Sequence, residues 1–280
     1  HYILEIIRDS PLSPLKTIGT TERPDVAAAK MLEGRIAVVV DGTPVVLTLP
    51  YVFREYFMSS EDYYVNYYYA SINRMVRLIG SFLAISTPAV YVALTTFHQE
   101  MIPTPLLMSI SAARQGVPFP TIVETIALLF AFEIIREAGS RMPSTMGQSM
   151  SIVGALILGQ AAVEARFFSA PIVIVVAITG ITGLLLPKLK GASITIRYIL
   201  LLLSTFMGLY GYVFGIIGLF IHLFGIRSFG VPYLIKYATI NPAEIKDGVI
   251  RNPWWYTNYH AKFVIAKDIV KQPTQKTKGK

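Results

Sequence analysis

Cysteine is absent from all 280 residues, which excludes disulfides, thiolate metal ligands and a cysteine nucleophile, and leaves the redox compartment unreadable. Charge is scarce as well: Asp, Glu, Lys and Arg make up 15% of the chain, against about 25% in a typical soluble domain. With 53% hydrophobic residues, that deficit argues for a membrane protein before any segment is inspected. The histidines, at positions 1, 98, 222 and 260, are too scattered for a readable metal site. No Walker lysine motif, GxGxxG after a strand, HExxH or GxSxG elbow occurs. Acids within apolar segments are accompanied by amides and small residues rather than by a nucleophile and base. No catalytic residue, cofactor or metal is therefore expected, and the chain does not read as an enzyme.

What the chain has in abundance is long apolar runs. Residues 147–187 are broken only at Glu164 and Arg166, and each half is about 20 residues, the length that spans roughly 30 Å of hydrocarbon. This reads as a transmembrane hairpin. At 100° per residue, Ser149, Val153, Leu156, Gln160 and Glu164 share one stripe, while Ser151, Ala155, Gly159 and Ala162 lie nearly opposite. Small residues four apart let a neighbouring helix come close in lipid. The polar stripe needs protein or water beside it, because an amide and a carboxylate facing lipid cost several kcal/mol each.

Taken in order, residues 1–60 are not membrane-like. The runs at 35–40 and 45–49 flank Asp41-Gly42, a strong hairpin signal. They read as the end of a soluble α/β domain, and the opening on His1 in mid-pattern leads us to expect an amino-terminal part before it. Five tyrosines beside Arg74 and Arg77 at 61–77 mark a cytoplasmic interface ahead of a span from Met75 to Phe97, kinked at Pro88. Prolines at 103, 105, 118 and 120 bracket a segment too short to cross, either interfacial or re-entrant. The next helix carries Glu124, a candidate intramembrane acid or a group near a membrane face. Near its other end lie Glu133, Arg136 and Glu137, spaced to pair and snorkel. From Ser193 to Gly225 the chain is apolar for 33 residues, about 50 Å as one helix, so it either tilts and protrudes or turns back. Gly208, Gly211, Gly215, Gly218, His222 and Gly225 follow the spacing of a helix-packing seam. Lysines at 262, 267, 271, 276, 278 and 280 form a basic cytoplasmic tail suited to anionic lipid rather than nucleic acid. Both flanks being cytoplasmic, the crossings should be even in number, four or six.

Several motifs then carry a resemblance. TTERPD at 20–25, EGRIAVVVDGTP at 33–44, SEDYY at 60–64, TTFHQEMIPT at 95–104, GVPFP at 116–120, REAG at 136–139, IVGALILGQAAVEA at 152–165 and RSFGVPY at 227–233 are similar to the A-subunit family of GerA-type spore germination receptors. Gln99, Gln115 and Arg166 depart from the family pattern; the last places a charge at a short turn. The resemblance implies a polytopic α-helical membrane subunit with three parts: 1–60, the remnant of a cytosolic domain; 61–235, transmembrane; 236–280, the basic tail. It further implies location in the spore inner membrane, a transporter-like B subunit and a lipoprotein C subunit as partners, and a homo-oligomeric ring around a cation path. Two functional classes follow. In one, the Ser149 to Glu164 stripe lines a water-filled path; in the other, the subunit is a non-conducting scaffold and the stripe bonds a neighbouring helix.

Overall fold

The structure, a computed structural model, describes residues 2–141, 154, 157, 159–234 and 251. They fall into two compact units: residues 1–78 with 219–280, and residues 79–218.

The first unit contains a short helix α1 (Tyr2–Ile6) and a three-stranded antiparallel sheet of order β1 (Gly19–Thr21), β3 (Val46–Leu49), β2 (Ile36–Val38). Helix α2 (Pro24–Leu32) opens on Pro24, where a missing N–H costs nothing, with Asp25 at the positive end of the helix. It stops at Gly34, whose φ of 86° suits glycine and whose N–H donates to Met31 O. Strands β2 and β3 pair with Ala37 opposite Thr48, so the two β-rich segments around Asp41-Gly42 do form a hairpin. A third strand joins it because Gly19 has no side chain: a Cβ there would lie 2.5 Å from Thr48 Oγ1 and 2.8 Å from the Tyr51 ring. Ile18, Leu47 and Leu49 bury the inner face.

The same unit takes in the residues that follow the long helix Lys190–Gly225. Strands β4 (Arg227–Ser228) and β5 (Val231–Pro232) are joined by Phe229 and Gly230, both at positive φ as a tight hairpin turn requires. Ser228 Oγ donates to Thr17 O at 2.7 Å and accepts from Tyr51 N at 3.0 Å. Tyr233 donates its hydroxyl to Lys16 O at 2.7 Å, and its carbonyl accepts from Phe53 N at 3.1 Å. Residues 227–233 are thus bound into the region between Ser13 and Phe57.

The second unit is helical. Helix α3 (Tyr67–Thr96) has Pro88 inside it, α4 (Thr104–Ala113) is too short to cross, and α5 (Thr121–Arg141) follows. Residues 159–164 are helical, and α6 (Ala170–Leu184) and α7 (Lys190–Gly225) complete the unit's helices. Val92, Leu129, Val176 and Leu201, from α3, α5, α6 and α7, share one buried core. Gly180 lets the Phe132 ring come within 2.3 Å of where a Cβ would stand, bringing α5 and α6 together. Among the described residues, two helical stretches, Tyr67–Thr96 and Pro187–Gly225, are long and apolar enough to cross a membrane.

Helix α7 is not one straight rod. Gly208 has φ 60° and ψ −138°, a conformation few L side chains adopt. A Cβ on Gly211 would sit 2.1 Å from Leu203 O, and one on Gly215 would sit 2.5 Å from Leu200 Cδ2. In an unbroken helix Leu200 and Gly215 would be about 22 Å apart. The segment therefore turns back at Gly208, and glycines let the two arms touch.

Candidate functional site

Three groups of polar side chains stand among the apolar helices of the second unit. Glu124, on the first turn of α5, is wholly buried. Its carboxylate accepts from Ser169 N at 2.9 Å and from Ser169 Oγ at 3.4 Å, and Arg114 Nε stands 4.0 Å away. Ser169 immediately precedes α6, whose next residues are Ala170 and Pro171. Glu124 therefore caps α6 from a neighbouring helix, satisfying an orphan N–H and facing the positive end of the helix dipole. The arrangement holds α5 and α6 in register and draws in the residue after α4.

The second group is Gln160 and Glu164. Both are exposed, and Gln160 Nε2 donates to Glu164 Oε1 at 3.1 Å. Gly159 is buried on the other side, where a Cβ would meet Val173 Cγ1 at 3.5 Å. At these positions the small residue faces α6 and the polar pair faces outward. Arg166, at φ 57°, lies instead beside Gly116. Ser149, Ser151, Val153, Ala155 and Leu156 lie outside the described residues.

The third group turns on Arg197, which sequence reasoning passed over as part of an apolar run. Its side chain is 1% exposed. Nη1 donates to Glu133 Oε1 at 3.1 Å, and Glu133 also pairs with Arg136. Nε donates to Ala84 O at 2.8 Å. Residue 88, four positions on, is proline and has no N–H, so the Ala84 carbonyl lacks its helical donor. Arg197 supplies one from another helix. The legible signal was the lone cation in a long apolar segment.

The glycines divide. Gly208 turns the chain beside Phe97 and His98, Gly211 and Gly215 admit the opposite arm, and Gly218 has nothing within 4 Å of a Cβ position. His222 Nε2 lies 3.0 Å from Ser13 Oγ within the first unit.

In that unit the charges form two locks. Burial pushes the Glu55 carboxyl up, but Lys30 and Arg35 outweigh it and hold its pKa at about 2. Asp62 is pushed up by burial and brought below the usual carboxylate range by Arg77, the Ser59 N–H and Arg74. The two arginines at the start of α3 thus serve a buried aspartate. Among the described residues no group of three or more His, Cys, Asp or Glu is placed to hold a metal ion.

Comparison with known proteins adds the relatives. The family described as Bacillus/Clostridium GerA spore germination protein matches residues 1–263. Spore germination protein KA of Bacillus subtilis is 46% identical over 97% of this chain and 50% of its own length. The uncharacterized membrane protein YfkQ of the same organism is 44% identical over 91% of this chain and 50% of its own. Spore germination protein GerLA of Bacillus cereus is 38% identical over 98% and 56%. The chain spans about half the length of the curated relatives it matches. No solved structure matches it.

Proposed function

The chain belongs to the GerA family of spore germination proteins, and from that premise we propose that it is an A-type membrane subunit of a nutrient-responsive germination receptor, assembled as a ring around a cation path. The carrying observation is the exposed Gln160 and Glu164 pair on the side of its helix away from buried Gly159. A carboxylate and an amide on the outer face of a membrane helix need water or protein beside them. In a ring packed through apolar and small surfaces, the pair repeats once per subunit around an axis. A ring of carboxylates concentrates cations and repels anions, and Leu156 and Val153, four and seven residues before Gln160 in the sequence, suit a constriction that closes by dewetting.

Residues 13–57 and 227–233 are hydrogen-bonded into a single unit, which supports both flanks lying on one side of the membrane and an even number of crossings. The fold-back at Gly208 supports six rather than four. The side would be the cytoplasm of the spore inner membrane, with the basic tail near anionic lipid. B and C receptor subunits would be its partners.

A second reading, a non-conducting scaffold, is favoured by one observation: Gln160 and Glu164 bond each other, so each is partly satisfied within its own helix. Ion-flux recordings from reconstituted full-length complexes separate the two. On the channel reading, Glu164→Gln lowers cation over anion selectivity at equal assembly, and Val153→Ala leaks without nutrient. Identical selectivity and no leak in both variants, at equal assembly, would remove these residues from any path.

A further inference from the structure

Around Arg197 two cations share one carboxylate. Glu133 is paired with both Arg197 and Arg136, and Glu137, the next acid on that face, is engaged by Arg141 at 3.0 Å and Lys190 at 3.5 Å. Among the described residues, Arg197 Nη2 and Arg136 Nε are buried without a hydrogen-bond partner. An unpartnered guanidinium N–H in apolar surroundings is expensive, and more so in a membrane helix. The two guanidinium groups converge beside Gly183 of α6: a Cβ there would lie 3.5 Å from Arg136 Nη1 and 3.8 Å from Arg197 Nη2. With no side chain at 183, a methyl-sized space is left against both guanidinium groups. Arg136 and Glu133 are 11% and 16% exposed, so the cluster reaches the unit's surface on their side, with Arg197 behind them at 1%.

We propose that Arg136 and Arg197 form, beside Gly183, a binding site for a phosphate oxyanion, supplied either by the headgroup of an anionic phospholipid or by free phosphate. The planar guanidinium fork matches phosphate oxygens, and charge-assisted bonds of this kind are the strong ones. Glu133 orients both forks and neutralises one charge, leaving a single positive charge for the ligand. Arg197 lies seven residues beyond Lys190, about 10 Å along the helix. Lys188 and Lys190 at that end give the approach the basic character that draws anionic headgroups between membrane helices. This site is separate from Gln160 and Glu164 and does not depend on whether the subunit conducts.

The test uses the full-length subunit in detergent. Native mass spectrometry after addition of phosphatidylglycerol or phosphatidylcholine reads the lipid source, and thermal stability against inorganic phosphate reads the free one. Preferential retention of phosphatidylglycerol, weakened about tenfold or more in Arg136→Gln and in Gly183→Leu but kept in Gly183→Ala, supports the site with a lipid ligand. Stabilisation by phosphate with the same variant pattern supports it with a free ligand. Gly183→Leu keeps every charge and blocks the approach, so it separates loss of the site from loss of the ion cluster. Equal retention of both lipids without phosphate stabilisation, or effects that these two variants leave unchanged, would overturn the proposal.

Discussion

If Arg197 replaces the donor that Pro88 removes, the two residues must be energetically coupled, and a double-mutant cycle measures it. Arg197→Met takes away the Nε that reaches Ala84 O at 2.8 Å and orphans that carbonyl. An unsatisfied buried acceptor costs about 1–3 kcal/mol, although hydrogen bonds measured inside membranes average nearer 0.6 and reach about 1.7 kcal/mol. Pro88→Ala restores an N–H at the position that ordinarily donates to residue 84, so in that background the carbonyl is already served. Arg197→Met should then cost about 1 kcal/mol less with alanine at 88 than with proline. Loss of the Glu133 contact is common to both backgrounds and cancels. Unfolding of the full-length chain in detergent, with all four variants compared, is the assay. Independent sites add within about 0.5 kcal/mol. A coupling smaller than that would refute the replacement and leave Arg197 as a partner of Glu133 alone.

Gly208→Val should lower abundance sharply, because φ is 60° and a Cβ would stand 2.8 Å from Phe97 Cβ, whereas Gly218→Leu meets nothing within 4 Å and should leave folding intact; membrane-fraction immunoblots compare them. The carboxyl of Glu55 is held at about 2 by Lys30 and Arg35 against burial, below the ordinary value of about 4.3. Its stabilisation is therefore complete above about pH 4.5 and is lost as pH falls through about 2. Hydrogen exchange at residues 47–57 should show that acid-side slope in the wild type and a flatter one in Glu55→Gln. A cysteine at position 277, in a chain with no native cysteine, should react only with reagent that reaches the cytoplasm; labelling from outside alone would sink the even number of crossings.

How much of this was readable in the sequence differs by kind of signal. The hairpin around Asp41-Gly42 was legible because the turn residues and the flanking β-branched runs agree. The third strand was not, since a three-residue strand beginning at Gly19 has no period of its own and exists because Thr48 and Tyr51 need a neighbour without a Cβ. The hydrogen bond that Pro88 removes was legible, but not the arginine that answers it, because a window dominated by Ile and Leu hides one cation. Hydropathy left open whether residues 193–225 fold back, since length alone allows tilt or turn. The backbone at Gly208 decides it. RSFGVPY read as a return to the interface, and no local pattern foretold its bonds to Thr17 and Lys16, over 200 residues away.

The polar groups sort by where their partners lie, and that sorting bears on function more than their count does. Glu124 is answered by Ser169 and Arg114, and Glu133 by Arg136 and Arg197. Each of these acids joins different segments of the helical unit, and removing either would separate helices before it altered any ion. Gln160 and Glu164 are exposed and, among the described residues, are joined within one helical turn. A change at Glu164 therefore leaves in place the contacts that join the described helices of this unit. On the proposed ring reading, that makes Glu164 the acid whose substitution tests for a neighbouring subunit or an aqueous path, and Glu124→Gln the control whose effect should appear first in folding.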